Sequence, residues 1–393
     1  MAGMKKAYLD YNATTPVDPR VLEAMMPYFK DGFGNPSSIH AFGSAAKAAL
    51  DEARENVAAL LGAGAREILF TSGGSESNNL AIKGAAFAEG GRGGKHFVTT
   101  KVEHDSTLEA FMYLETHGFK VTYLGVDRQG LVDLDELRDA VTGETRLVSV
   151  IYANNETGVV MPAEEIAGIV KEKGALFHVD AVQAAGKLGI DLKRIQADMV
   201  SISSHKFYGP KGAGALFVRE GLARRLTLAP LIHGGGQERG LRSGTENVPA
   251  IAGLGKAAEL ALAELDQDRE RVGRLRDELL ARISSGAGGV TVNGAPDSMV
   301  RNTLNLSFEG VHGGSLAMAL DLEGIAVSTG SACSEGNVDP SHVLLAMGRS
   351  RKEAHSSVRF SLGRFTTQEE VEYAASAVVS AVKRIRGLKG TGS

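Results

Sequence analysis

Val200-Ser201-Ile202-Ser203-Ser204-His205-Lys206-Phe207-Tyr208-Gly209-Pro210-Lys211-Gly212 is the stretch around which the chain is organised. Its apolar start, from residue 199 to residue 202, predicts a strand that stops abruptly in polar residues before glycine and proline break the chain. Ligands of open α/β sheets bind outside the carboxyl ends of the strands, so we expect the amine of Lys206 in a crevice. Burial lowers the pKa of a lysine, and the neutral amine attacks carbonyl groups. Lys206 is therefore a candidate Schiff-base lysine, although a surface lysine after a strand gives the same local pattern.

The length and composition of the chain bound its class. Its 393 residues exceed the size at which one core stops growing, which predicts two domains. The net charge of -4 argues against nucleic acid as a direct partner. The amino terminus lacks a secretory signal, and no apolar run is long enough for a membrane span, so we expect a cytoplasmic protein without a membrane partner. The single cysteine excludes an internal disulfide framework and an intrinsic metal site built from cysteines.

A second strand–turn–helix unit lies at residues 67–80, which read EILFTSGGSESNNL. The predicted strand ends in two glycines, and a helix is expected to start at once, at Ser75. Free backbone amides and the positive end of the helix dipole then point at one spot, next to Gly74 and Ser75, and this arrangement suits a phosphate. The same pattern also fits a turn that only caps the helix.

Polar residues follow the other predicted strands as well. His104 lies just past the strand at 95–100, and Asn155 lies in the polar loop after the strand at 146–152. Asp180 ends the strand that starts at residue 175, and Gln183 follows three residues later. Because the carboxyl ends of parallel strands share one edge of a sheet, we expect these side chains to meet Ser203, His205 and Lys206 in one crevice. A buried aspartate needs a positive partner, so the sequence predicts a cofactor site here.

A phosphate cradle, a carboxylate and a Schiff-base lysine are the groups that pyridoxal 5′-phosphate requires, because the carboxylate keeps its pyridine ring protonated as an electron sink. With these residues in place, the chain resembles the NifS/IscS-type cysteine desulfurases, within the class V aminotransferase group of fold-type I pyridoxal phosphate enzymes. The stretches that carry the resemblance span nearly the whole chain in order: YLDYNATTP (8–16), NPSSIHAFG (35–43), FTSGGSESNNLAIKG (70–84), EHDSTL (103–108), YANNETG (152–158), FHVDAVQAAG (177–186), SISSHKFYGPKG (201–212), GGGQERGLRSGTEN (234–247), STGSACSEG (328–336) and VRFSLGRFTT (358–367).

The resemblance implies an α/β fold of the fold-type I class. Its central sheet is mostly parallel with helices on both faces, and a smaller α+β domain is attached. We expect the large cofactor-binding domain at residues 16–262. The small domain is expected to combine residues 1–15 with residues 263–393 and to carry the loop of Cys333.

The resemblance also implies the roles of the site residues. Lys206 forms the internal aldimine with the cofactor, and Asp180 pairs with the pyridine nitrogen. His104 stacks on the ring, and Gln183 donates to the ring oxygen. The phosphate is held by Gly74, Ser75, Ser203 and His205. Asn155 binds the cofactor, and together with Arg359 it binds the substrate carboxylate. The planar guanidinium of Arg359 suits this role because it donates two parallel hydrogen bonds.

The differences from the family pattern are small, and one alternative stays open for Arg359. Gly74 and Ser75 stand where an Ala-Thr pair is common, and Thr329 stands where a serine is common; these changes keep size and hydroxyl chemistry. Position alone would also allow Arg359 to form a surface ion pair.

The glycine-rich stretch at residues 233–247 fits a mobile loop from its composition alone. The resemblance places it at a dimer interface, where Thr245 reaches the phosphate of the neighbouring subunit. A homodimer with shared sites is therefore implied.

Cys333 is the only cysteine, and it lies among small polar residues with Gly330 and Gly336 on either side. This composition indicates an exposed loop and argues against a core position, where a free cysteine usually lies. In the family this loop carries the cysteine between the active site and an acceptor.

The activity implied by the resemblance is cysteine desulfuration, in which L-cysteine yields L-alanine and a persulfide on Cys333. A sulfur-acceptor or iron–sulfur scaffold protein is the implied partner, and iron–sulfur cluster assembly is the implied purpose. Sulfur supply for tRNA thiolation, selenocysteine lysis, another aminotransferase-type reaction and a non-catalytic scaffold role remain alternatives. The sequence also leaves open whether Cys333 transiently ligates a cluster on a partner.

Overall fold

The computed structural model describes residues 6–88, 94–224, 228–329 and 339–390. The strands in this part of the chain are β1 (Ala7–Tyr8), β2 (Ile68–Thr71), β3 (His96–Thr100), β4 (Lys120–Leu124), β5 (Thr145–Ile151), β6 (Leu176–Asp180), β7 (Met199–Ser203), β8 (Gly214–Val218), β9 (Val290–Val292), β10 (Thr303–Phe308), β11 (Ile325–Ala326) and β12 (Ser357–Ser361). The helices are α1 (Pro19–Met25), α2 (Ala41–Leu61), α3 (Gly74–Ala86), α4 (Asp105–Thr116), α5 (Leu134–Ala140), α6 (Ala163–Glu172), α7 (Leu192–Ile195), α8 (Val248–Ala287), α9 (Gly313–Asp321), α10 (His342–Ala346), α11 (Arg351–His355) and α12 (Gln368–Gly390).

The central sheet has the strand order β2-β8-β7-β6-β5-β3-β4. The pairs from β7 through β6, β5 and β3 to β4 are parallel, whereas β8 runs antiparallel to both of its neighbours. The carboxyl ends of β2, β3, β5, β6 and β7 therefore face one edge, and this shared edge positions the functional site. The predicted α/β fold with a mostly parallel sheet is confirmed.

Helices cover both faces of this sheet, so its strands are apolar on both sides. Successive residues point to opposite faces: Phe70 and Val98 join the apolar core on one side, while Leu69 and Phe97 join the core on the other. Helices α2, α6 and α8 contribute to the first core, and α3 and α4 contribute to the second. The sheet is thus buried between two helical layers, and its carboxyl edge is the place where polar side chains gather.

A third core is built around the three-stranded sheet β12-β10-β9, which is antiparallel. Helix α8 links it to the rest of the molecule, because Leu260 packs into the first core and Val272 into the third. The amino-terminal strand β1 pairs in parallel with β11 on the same side of the molecule. The predicted domain limits, 16–262 against 1–15 with 263–393, stay a prediction; the limit at 262 falls inside α8, between these two cores.

The helix expected to start at Ser75 begins one residue earlier, at Gly74. None of the helices in the described ranges combines the length and apolar character that crossing a membrane requires.

Candidate active site

A cavity of about 210 Å³ lies at the carboxyl edge of the central sheet. It brings together the predicted cofactor residues of this chain except Thr245. Its lining consists of Gly74, Ser75, Asn78, His104, Ser106, Ile151, Asn155, Asp180, Val182, Gln183, Ser203, His205 and Lys206. The convergence expected from the strand ends is therefore present in the fold.

Lys206 is held at this cavity by the backbone around it. Strand β7 ends at Ser203, and a single 3₁₀ turn from Ser204 to Lys206 turns the side chain toward the amino-terminal segment. Its Nζ donates to the carbonyl oxygens of Asn12, at 2.6 Å, and Ala13, at 2.9 Å. Burial, assisted by the charge of Arg359, lowers the pKa of Lys206 to about 8. A sizeable fraction of this amine is therefore neutral, and hence nucleophilic, near neutral pH.

Asp180 is the buried carboxylate of the site. Its Oδ1 accepts from the backbone N–H of Val182 at 2.9 Å, and its Oδ2 accepts from Asn78 Nδ2 at 2.6 Å. No cationic side chain of the described residues forms a salt bridge with it, although only 2% of Asp180 is exposed. Burying a carboxylate without a cationic partner costs desolvation free energy. A positively charged group on a ligand would offset that cost at Asp180.

The backbone between β2 and α3 forms a close-fitting turn beside this carboxylate. Gly73 has φ 153° and ψ -175°, a conformation that side chains rarely adopt. A Cβ on Gly74 would come within 2.7 Å of Val182 Cγ2, so a larger residue at this position would require the Val182 side chain to shift. The first amides of α3 thus stay uncovered by side chains next to Ser203, as an anion requires.

These features fit pyridoxal phosphate. The Asn78 Oδ1 atom is buried at the cavity with no partner in the described part of the chain, so it is available to a ligand donor. A cationic ring nitrogen suits Asp180, a phosphate suits the start of α3, and an aldehyde suits the amine of Lys206.

His104 caps helix α4, and a side chain that sequence reasoning missed fixes its ring. Its Nδ1 accepts from the Ser106 backbone N–H at 3.1 Å and lies 2.9 Å from Ser106 Oγ. Because Nδ1 accepts, the neutral ring carries its proton on Nε2. Ser106 Oγ in turn accepts from Asn78 Nδ2 at 2.9 Å, which connects His104 to the Asn78–Asp180 pair.

Gln183 and His205 are tied to the amino-terminal segment. Gln183 Nε2 donates to the Asn12 carbonyl at 2.8 Å, and its Oε1 accepts from Lys187 Nζ at 2.5 Å. Burial, with the charge of Lys206, holds the pKa of Lys187 well below its usual range. His205 Nδ1 lies 3.1 Å from Thr14 Oγ1, and burial beside Lys206 lowers the pKa of His205 to about 4. His205 is therefore neutral at physiological pH.

Arg359 lies next to the cavity and does not line it. Its two terminal nitrogens are engaged: one donates to the Asn155 carbonyl at 2.9 Å, and the other forms a 2.6 Å salt bridge with Asp10. Only 6% of its side chain is exposed. Arg359 therefore does form an ion pair, as the alternative proposed, but the pair is buried beside Asn155 and does not lie on the surface.

One predicted cofactor residue, Thr245, lies apart from this cavity. Thr245 is exposed and does not contribute to the lining, and its predicted contact with a neighbouring subunit stays a prediction. Cys333 lies outside the described residues. Among the described residues on either side of it, Ser328 pairs with the backbone of Arg359, and Ser341 Oγ donates to Glu156 Oε2 at 2.5 Å. Both flanks are thus attached beside Asn155 and Arg359.

Comparisons with known proteins agree with the chemistry that the site residues indicate. The family model of class V aminotransferases matches residues 7–374, and the chain belongs to this family. A curated relative from Dictyoglomus turgidum, named cysteine desulfurase IscS, is 48% identical over 384 residues, covering 98% of this chain and 96% of the relative. A relative of the same name from Anaeromyxobacter sp. is 52% identical over 382 residues, covering 97% and 93%.

Solved structures agree with these relatives. A structure titled NifS-like protein has a TM-score of 0.89 at 41% identity and covers 97% of this chain and 100% of its own. One titled SspA in complex with cysteine has a TM-score of 0.81 at 40% identity, with coverages of 92% and 100%. The predicted resemblance to NifS/IscS-type cysteine desulfurases is confirmed, and with it the enzyme class and the pyridoxal phosphate cofactor.

Proposed function

We propose that this chain removes the sulfur atom of L-cysteine, releases L-alanine and keeps the sulfur as a persulfide on Cys333 for an acceptor protein. The observation that carries the proposal is the amine of Lys206, with a pKa of about 8, in one cavity with the buried carboxylate of Asp180, which forms no salt bridge within the described residues. The relatives named cysteine desulfurase and the neighbour solved with cysteine support L-cysteine as the substrate.

The cofactor would be held by the cavity residues in the roles that the resemblance implies. Asp180 would pair with the pyridine nitrogen, Gln183 would donate to the ring oxygen, His104 would stack on the ring, and Lys206 would hold the aldehyde. Gly74, Ser75, Ser203 and His205, at or near the start of α3, would hold the phosphate, with Thr245 supplied by the second subunit of a homodimer. When bound, pyridoxal phosphate supplies the electron sink that stabilises negative charge at the substrate α-carbon.

The side chains of the protein move the protons and bind the substrate. Arg359 and Asn155 bind the substrate carboxylate, which orients the α-hydrogen. The neutral Nζ of Lys206 accepts the α-proton, a role that its lowered pKa suits because both protonation states are populated near pH 8. His104 would be the proton donor or acceptor at the substrate sulfur, and because Ser106 occupies Nδ1, the proton would be exchanged at Nε2.

Sulfur transfer balances without an added oxidant. The thiolate of Cys333 attacks the substrate sulfur, so that a sulfur–sulfur bond forms and the carbon–sulfur bond breaks. The bonding electron pair stays with the substrate carbon, which takes up a proton and becomes the methyl group of L-alanine. The persulfide on Cys333 is then passed on, and we propose an iron–sulfur scaffold protein as its recipient.

Several finer points stay predictions. They include the homodimer, the cytoplasmic location, and supply to iron–sulfur assembly as opposed to tRNA thiolation. Transamination is disfavoured because it needs no protein thiol, and a non-catalytic scaffold role is disfavoured because Lys206, Asp180 and His104 are all in place.

The test is anaerobic turnover of the holoenzyme with L-cysteine and a reductant, with sulfide and alanine quantified together. We expect equal amounts of both products, and loss of both in Cys333→Ala at unchanged cofactor absorbance. Full turnover by Cys333→Ala would show that Cys333 is not the nucleophile. If neither product formed with cofactor bound, the desulfurase proposal would fail, and selenocysteine would be the next substrate to try.

A further inference from the structure

Arg359, the proposed substrate-binding arginine, already has a carboxylate bound to it in the free protein. Its NH2 group lies 2.6 Å from Asp10 Oδ1, with 6% of the arginine side chain and 19% of the aspartate side chain exposed. Its NH1 group donates to the carbonyl oxygen of Asn155. Its Nε atom is buried and makes no hydrogen bond within the described ranges, so the Nε–H donor of the guanidinium is unused there.

The backbone builds this pair, so it is no chance contact between flexible side chains. Tyr11 N–H donates to the Ser361 carbonyl, and Ser361 N–H donates to the Leu9 carbonyl, which aligns Asp10 with strand β12. Arg359 lies two residues before Ser361 on this strand, so both side chains extend from a paired backbone. Tyr8 Oη also donates to the Asp10 carbonyl at 3.0 Å. The separation of Asp10 from Arg359 is therefore fixed by the fold.

The position of the pair gives it an electrostatic effect on the cavity. Asn155 lines the cavity and accepts from Arg359, so an amino acid whose carboxylate reaches Arg359 brings a second negative charge close to Asp10. Charges a few ångströms apart in a partly buried site interact strongly, and the two carboxylates repel each other while they share one guanidinium. Asp10 thus opposes carboxylate binding while it keeps Arg359 in place.

We propose that Asp10 is a positioning residue that occupies Arg359 in the free enzyme and thereby weakens the binding of the amino-acid carboxylate. The inference rests on the proposed function, in which Arg359 receives that carboxylate. Weak product binding is the benefit, because L-alanine carries the same carboxylate as L-cysteine and has to leave in every turnover.

The experiment is an equilibrium titration of the holoenzyme, followed by cofactor absorbance, with L-alanine and separately with L-alaninamide. The variant is Asp10→Asn, whose amide oxygen still accepts from Arg359 but carries no charge. Asp191→Asn is the matched control: it makes the same change of charge at the cap of helix α7, where Asp191 bonds the Lys193 N–H. Thermal unfolding of each holoenzyme checks the fold, and Asp10→Ser replaces the test variant if Asp10→Asn does not fold.

We expect Asp10→Asn to bind L-alanine about three- to tenfold more tightly than the wild type, because the repulsion is gone. L-alaninamide, which lacks the charged carboxylate, should bind equally to both, and Asp191→Asn should match the wild type for both ligands. Unchanged or weaker L-alanine binding in Asp10→Asn would overturn the inference, and so would an equal gain for L-alaninamide.

The proposed function has a separate readout. Wild-type enzyme that forms neither sulfide nor alanine from L-cysteine contradicts the desulfurase proposal. Wild-type enzyme that turns over while Asp10→Asn shows no tighter L-alanine binding contradicts only the role of Asp10.

Discussion

The first prediction concerns the nucleophilic reactivity of the Lys206 amine and its dependence on pH. Burial and the charge of Arg359 lower the pKa of Lys206 from 10.5 to about 8, whereas Asp10 and Asp180 raise it in part. At pH 7.5 about a quarter of this amine would be neutral, against roughly one in a thousand at a pKa of 10.5. The expected gain in nucleophilic amine is therefore on the order of 200-fold.

The assay is acylation of the apoenzyme from pH 6 to pH 10, with each lysine quantified by mass spectrometry and exposed Lys47 as the internal reference. We expect Lys206 to become reactive with a midpoint near pH 8. Arg359→Gln should move the midpoint upward, since a positive charge that disfavours the ammonium form is removed. A midpoint near 10 in the wild type, or a downward movement in Arg359→Gln, would refute this account of the amine.

Three further changes test the cofactor site and the stability of the fold. Asp180→Asn should lower turnover by roughly 100-fold and speed cofactor loss, since no charge would face the ring nitrogen; wild-type turnover in this variant contradicts the assignment. Burial raises the pKa of Glu103 from 4.5 to about 8, so its neutral form stabilises the fold at low pH and this stability is lost as the pH rises toward 8. Glu103→Gln should therefore stabilise the protein by about 4–5 kcal/mol at pH 9 and by less than about 1 kcal/mol at pH 5, measured by thermal unfolding; equal gains at both pH values would argue against a buried, titrating Glu103. Arg54→Met removes the 2.6 Å partner of buried Glu238 and should cost about 3–5 kcal/mol in denaturant unfolding, part of it recovered in the double variant with Glu238→Gln, which removes the charge and keeps an acceptor for the Phe70 N–H; a single variant as stable as the wild type would contradict the importance of this pair.

The sequence predicts the cavity well because its residues follow a rule of strand ends. Asp180, Ser203 and Lys206 stand where apolar strands stop, and parallel strands bring their carboxyl ends together. Gly74 was recognisable for the same reason, since two glycines between a strand and a helix leave backbone amides uncovered.

The residues that were missed lie on helices or arrive from far away in sequence. Asn78 looks like a surface residue of α3, yet its spacing of four from Gly74 places it one turn further along the same face, toward the cavity. Ser106 follows His104 by two residues at the start of α4. This spacing is typical of a helix cap, and it indicates that the backbone N–H of Ser106 holds the imidazole ring in place. Asp10 reaches Arg359 across 349 positions of sequence, and no local pattern signals such a contact.

The destination of the sulfur atom tests the central claim most directly. Holoenzyme is exposed anaerobically to L-cysteine labelled with heavy sulfur, without reductant or acceptor, and its peptides are mapped by mass spectrometry while alanine is counted. The account predicts one labelled sulfur atom on the peptide that contains Cys333 and one alanine per active site. Alanine formed in that amount while Cys333 carries no labelled sulfur would contradict it.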